Sequence, residues 1–445
     1  MSMSAVAKMA ARHAQANESV DQDFRRVPLH KLRSGNTIKF PIHAHDGTLL
    51  LAEGSEITQR ILEILEQRGH STVLVHRMET AASATLEPLG TLTDVPATRI
   101  GTAIGRHNRA TRKLDYELAE QISGAKRKAE SPFIKEIPRP GIVAYSEELT
   151  TEIFTKQESF ITTLRASVQQ MTQSGIDGRA QTESVIGDYL KFIVEDIDLF
   201  TSIASTPNIC NYPHRHSLHT AMLSLAMGVH AGLSEESLHS LALGAMLHDI
   251  GMLRIPRSIW MSKQQILPHQ QLTMMAHPIY SVEMLLNVDG IPPDVKYIVY
   301  QVHERKNGKG YPRRVPGEMI HPLAKIVGVA DAYAALLSDR PFRPGVQPYK
   351  AVEHIIQGVK DGFFEAHVVR LLLQTVSLYP VGSYILLSDG RLAKVLRTNS
   401  ENYSRPIVRC WPLRTLPSDN SGEILSLLSI PELSVVAAVP SPLVG

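Results

Sequence analysis

Apolar and polar positions change their period several times along this chain, and each change marks an element. Residues 1–26 show no period and are polar and alanine-rich, which predicts a disordered tail. Apolar runs at 37–44 and 48–51 then flank His45-Asp46-Gly47, and Asp-Gly between apolar runs signals a hairpin. Ile57, Ile61, Ile64 and Leu65 fall on one helical face, Gly69 supplies a stop, and 72–75 reads as a strand. Residues 27–78 are therefore expected to form a small β-rich domain. It carries no chemical cluster, so its expected role is regulation or docking.

Residues 79–140 lose the pattern and end in Ile137-Pro138-Arg139-Pro140, which predicts a disordered or loosely helical linker. Its Lys126-Arg127-Lys128 run reads as solvated charge. Residues 141–205 are expected to be a helical connector. Ile153, Phe154, Phe160, Ile161, Leu164, Val168 and Met171 repeat at helical spacing, and after a break at 175–178 so do Val185, Ile186, Tyr189, Leu190, Ile193 and Ile197. From 206 to 378 the pattern predicts helices over 218–231, 235–247, 269–286, 295–303, 324–337 and 349–358, with prolines at ends and in loops. In the extension 379–445, alternation over 381–408 around Ser388-Asp389-Gly390 predicts short strands, and the last thirty residues show little pattern. The expected fold class is mainly α: a helical bundle with a small β-rich N-terminal domain and a short β-rich C-terminal extension.

Composition narrows the functions without choosing one. The chain is 43% apolar and 20% charged, ordinary for a soluble protein. A formal net charge of +2 argues against nucleic acid or a membrane surface as a bulk partner. Two cysteines, Cys210 and Cys410, imply no disulfide framework. No apolar run reaches transmembrane length and 1–17 has no signal-peptide core, so a cytoplasmic location is expected.

Six side chains of metal-ligand type stand out: His216, His248, Asp249, His277, His303 and Asp331. A lone histidine in a chain with nineteen is usually a surface or hydrogen-bonded core residue. His248-Asp249 is different, because it ends the apolar run 241–247 and precedes Gly251, which permits a close approach. Adjacent His and Asp at a helix end can hold one metal by imidazole and bridge to a second by carboxylate, which suits iron, manganese or zinc. Ligands spread over several helices of a bundle converge in its interior.

The series His216-Ser217, Leu247-His248-Asp249-Ile250-Gly251, His277-Pro278, His303-Glu304-Arg305-Lys306-Asn307-Gly308-Lys309-Gly310-Tyr311-Pro312, Ala330-Asp331-Ala332-Tyr333 and Arg340-Pro341-Phe342-Arg343 resembles the HD-GYP family. That family is a branch of the HD metal-dependent phosphohydrolases whose members hydrolyse the bacterial second messenger cyclic di-GMP. The resemblance covers roughly 190–380. It implies that 206–378 is a catalytic domain in which a metal-activated water attacks phosphorus, with two divalent ions, iron or manganese. It further implies that His216, His248, Asp249 and Asp331 hold the first ion, and that Asp249 bridges to a second held by His277 and His303. His248 and Asp249 would be the catalytic pair. Gly310, Tyr311, Arg305, Arg340 and Arg343 would meet the nucleotide. A protein partner at the same loop or at the N-terminal domain, and a homodimer, are compatible partners. The chain departs from the family pattern at Met252, where a lysine is usual, and at Val302, where a second histidine is usual. Asn307 replaces an aspartate, and Tyr212 stands where three-metal members carry a glutamate. These departures weaken the second site and motivate the alternative of a module that binds nucleotide or a partner and signals without turnover.

Overall fold

The computed structural model describes residues 24–29, 32, 42–43, 49–51, 57–67, 72–76, 109–124, 132–133, 145–173, 179–205, 212–262, 266–339, 345–399, 402–412 and 422–439. Two compact units divide the chain, Met1–Pro88 and Leu89–Gly445.

In the first unit, strands β1 (Phe24–Pro28), β2 (Ile42–His43), β3 (Leu49–Leu51) and β4 (Thr72–His76) form an antiparallel sheet in the order β1-β4-β2-β3. Helix α1 (Gln59–Gln67) brings Leu65 into a core with Val27, Ile42, Ile57, Val73 and Val75. The expected hairpin is present, while its turn, His45-Asp46-Gly47, lies outside the described residues. Strand β1 was not expected. It is an edge strand, and Arg25-Arg26 interrupts its apolar run.

The second unit begins, among the described residues, with helix α2 (Arg109–Gly124). It lies inside the stretch expected to be a linker, yet Leu114 and Leu118 are buried in the main core. One leucine pair at i,i+4 among many charges is too short a stripe to read as an element. Helices α3 (Glu147–Gln173) and α4 (Arg179–Ala204) carry the two expected stripes, except that Phe154 is exposed, its neighbour Ile153 taking the inward position. Helix α4 is kinked at Asp196, whose φ and ψ are −160° and 95°.

Helices α5 (His214–His230), α6 (Glu235–Leu247), α7 (Arg257–Trp260), α8 (Pro268–Met274), α9 (His277–Leu285), α10 (Pro293–Gln301), α11 (Pro322–Leu337), α12 (Pro348–Lys360) and α13 (Ala366–Val376) complete the bundle. Every residue of α5 from His216 to Val229 is buried, so this helix is central. The single helix expected over 269–286 is broken at Met275 and Ala276, which puts His277 at the start of a new helix with Pro278 in its first turn. Beyond the bundle lies an antiparallel sheet of β5 (Tyr384–Leu387), β6 (Leu392–Arg397), β7 (Ile407–Cys410), β8 (Glu423–Ser426) and β9 (Val435–Val439), in the order β8-β7-β6-β5-β9. The two strands from the weakly patterned terminal stretch, β8 and β9, are its edges.

The sheet is fastened to the bundle at the α4 kink. Asp196 Oδ1 accepts from the amide of Leu199 at 3.0 Å, which caps the second half of α4. The same carboxylate takes both ends of the Arg397 guanidinium, at 3.0 and 2.8 Å. Thr398 hydrogen-bonds Asp198, and Arg397 lies 4.4 Å from the ring centre of Tyr145.

Candidate metal centre

The six predicted residues come from five elements. His216 lies in the first turn of α5, His248 caps the end of α6 with Asp249 after it, and His277 opens α9. His303 follows the end of α10, and Asp331 sits midway along α11. Helix α6 must stop here because the next turn meets α9 backbone to backbone. A Cβ on Gly251 would lie 2.1 Å from the carbonyl oxygen of His277 and 2.7 Å from the amide nitrogen of Ser281. The Ser281 hydroxyl ties the contact, accepting from the Gly251 amide and donating to the His248 carbonyl, each at 2.8 Å. Ser281 was missed in the sequence because its partners are main-chain atoms.

The structure brings all six side chains together, and all are buried. His216, His248 and Asp249 form one group whose donor atoms lie within 4.8 Å of one another, and Asp249, His277 and His303 form a second. Asp249 is common to both. Its Oδ1 stands 3.4 Å from His248 Nε2 and 3.2 Å from His277 Nε2. Asp331 spans the groups, with Oδ1 2.9 Å from His216 Nε2 and Oδ2 3.4 Å from His303 Nδ1. Outer contacts orient the rings. His248 Nδ1 meets the Ala245 carbonyl at 2.7 Å and His277 Nδ1 meets the Met274 carbonyl at 2.8 Å, so each turns Nε2 inward.

These residues fit a divalent cation. His248 Nε2 is buried without a hydrogen bond and faces two carboxylates. His277 Nε2 and His303 Nε2 point at each other across 2.9 Å, an approach that a proton or a shared cation relieves. Electrostatics agree. Burial pushes both carboxylates up, but the surrounding imidazoles, His248 and His277 for Asp249 and His216 and His248 for Asp331, outweigh it and hold both well below the usual range. Burial pushes His248 down, but Asp249 and Asp331 overcome it and lift that ring to about 9. Burial keeps His303 well below its usual value. Two buried anions that hold a proton on an imidazole would equally hold a metal in its place.

The loop after His303 closes one wall. Tyr311 is stacked on the His303 ring, with centroids 4.7 Å apart and an 18° interplanar angle. Gly310 packs against the backbone of 303–305, where a Cβ would meet His303 O at 2.5 Å. Glu304, which sequence reasoning left without a role, holds the loop. Its carboxylate accepts from the amides of Arg313, Arg314 and Val315 at 2.6, 3.0 and 3.2 Å. Arg305 is buried, Nη1 donates to the carbonyls of Val302 and Glu304, and its guanidinium lies over Phe364, so in this structure it supports the loop from behind. Arg340 and Arg343 lie outside the described residues. Met252 is buried beside the turn. Val302 is buried in the apolar core, one helical turn beyond Ile298. His321, a further neighbour of the loop, turns toward Asp294 and Tyr297 on α10.

Residues 201–368 match the HD domain model. A cyclic di-GMP phosphodiesterase of Pseudomonas aeruginosa is 25% identical over 278 residues, covering 62% of this chain and 66% of the relative. Another, from Borreliella burgdorferi, is 27% identical over 200 residues, 44% of this chain and 52% of the relative. A 3′3′-cGAMP-specific phosphodiesterase of Vibrio cholerae is 26% identical over 168 residues, 38% of this chain and 39% of the relative. The chain thus spans less than two thirds of these relatives. With its His-Asp pair at the end of one bundle helix and partner ligands on its neighbours, the chain contains an HD domain. Its Gly310-Tyr311-Pro312 loop is the feature by which that domain resembles the HD-GYP branch.

Proposed function

We propose that the chain is a metal-dependent phosphodiesterase that hydrolyses cyclic di-GMP. The observation that carries this reading is the carboxylate of Asp249, common to two clusters of buried imidazoles. His216, His248, Asp249 and Asp331 would hold one ion, and Asp249, His277 and His303 a second, iron or manganese. When bound, such a pair supplies Lewis acidity toward a phosphoryl oxygen and lowers the pKa of water. The chain's own part is placement. The Ala245 and Met274 carbonyls fix two of the rings, and Ser281 fixes the His248–Gly251 turn against α9. Tyr311 would border the nucleotide, and Gly310 would let its loop pack close enough to put it there. Arg340 and Arg343 are proposed to meet phosphate, as planar guanidinium forks do.

Binding without turnover rests on Met252 and Val302. Val302 leaves the second cluster one imidazole short of the family pattern, yet each cluster still gathers three donors around Asp249, so turnover is the favoured reading. The test is anaerobic assay of purified protein loaded with Mn(II) or Fe(II), with cyclic di-GMP and 3′3′-cGAMP offered separately. Cyclic di-GMP should be consumed, and the double substitution His248→Ala, Asp249→Ala should abolish it. Metallated, folded protein that consumes neither overturns the reading, and preference for 3′3′-cGAMP corrects the substrate.

A further inference from the structure

One hydroxyl outside the six residues reaches the shared carboxylate. Tyr212 donates through its hydroxyl to Asp249 Oδ2 at 3.0 Å. The other oxygen, Oδ1, is the one that faces both clusters, at 3.4 Å from His248 and 3.2 Å from His277. The carboxylate is thus divided: one oxygen for the histidines and one for the tyrosine. The phenol ring stands just ahead of α5, its centre 5.8 Å from that of His216 and 5.5 Å from that of Trp260. Trp260 is itself anchored, its indole N–H donating to the Ile255 carbonyl at 3.2 Å.

We propose that Tyr212 is a positioning residue that engages Oδ2 and keeps Oδ1 turned toward both clusters, where it would be the oxygen shared by the two metal sites. The inference rests on the metal reading above. A hydrogen bond to a charged acceptor is short and directional, so it restrains rotation of the carboxylate and keeps Oδ1 turned toward both clusters. A bridge through one oxygen would hold two ions closer than a bridge through two, so the hydroxyl would influence their spacing as well as their affinity.

The test compares wild type, Tyr212→Phe and Trp260→Phe by Mn(II) calorimetry and by EPR of the Mn(II)-loaded protein, with thermal melts of the metal-free proteins as a folding control. Tyr212→Phe keeps the ring and loses only the hydroxyl. Its weaker Mn(II) site should lose about tenfold in affinity, the scale of one hydrogen bond to a charged group, and its spin-coupled EPR signal should change. Trp260→Phe loosens the wall but leaves the hydroxyl, and should keep wild-type affinity within about twofold, well under the effect of such a bond. Unchanged affinity and EPR in Tyr212→Phe overturn the inference. So does an equal loss in Trp260→Phe, which would make the effect one of packing. Wild-type protein that binds no Mn(II) overturns the metal reading itself, and this inference with it.

Discussion

At the scale of single residues, the centre depends on a contact with no spare space. Gly251→Ala must drive the His248–Gly251 turn and α9 apart, since its Cβ would fall 2.1 Å from the His277 carbonyl. We expect this substitution to lose Mn(II) binding in calorimetry, because it separates His248 and Asp249 from His277. Ser281→Ala leaves the gap intact but strips the partner from one amide and one carbonyl, and should lower stability by about 1–3 kcal/mol in urea titration. If both variants bind Mn(II) as wild type does, the turn is not what aligns the clusters. The six ligand candidates and the Gly-Tyr-Pro loop were legible in the sequence because their chemistry lies in residue type and order. Ser281 and Glu304 were not, since they act on backbone atoms that no residue code records. The orientation of Arg305 was not legible for a related reason: a cation in a basic loop does not reveal which way it points, and this one turns inward over Phe364.

Among elements, the least expected is α2, and packing decides its standing. Leu118 is 3% exposed in the main core. Leu118→Ala should therefore cost about 2–5 kcal/mol by chemical denaturation, as buried leucine truncations do. A solvated linker would give a change within about 0.5 kcal/mol, and that result would dissolve the helix as a structural member. The same helix touches the metal-centre loop through Asp115 and Arg313, 3.3 Å apart. That pair is partly exposed and should matter by less than about 1 kcal/mol, so the leucines rather than the ion pair hold α2 in place. Long helices with wide stripes, α3 to α6 and α11, were readable from period alone. Strands β1, β8 and β9 were not. As edges they have one neighbour each, and their sequences are correspondingly less apolar or less regular.

For the molecule as a whole, the buried group at the α4 kink links bundle and C-terminal sheet. Burial pushes Asp198 up to about 6, with Asp196 adding to the rise and Thr398 and Arg397 opposing it. The folded chain therefore keeps a proton that the unfolded chain releases near pH 4. That contribution to stability is complete below about pH 4 and is lost as pH rises through about 6. Asp198→Asn should remove this part of the decline, so denaturation midpoints at pH 5 and pH 7.5 should lie closer together than in wild type. An unchanged difference would place the titration elsewhere. Arg397→Met should cost about 3–5 kcal/mol at neutral pH, because it leaves buried carboxylates without a cation. The HD match ends at residue 368, and Arg397 lies beyond it on β6. A cut after residue 378 would strand Asp196 and Asp198 in an apolar helix junction with no counter-charge. A cassette that the family comparison draws as separable is, in this chain, soldered to its neighbouring sheet through Arg397 and Thr398, so excising it is a chemical change as well as a shortening.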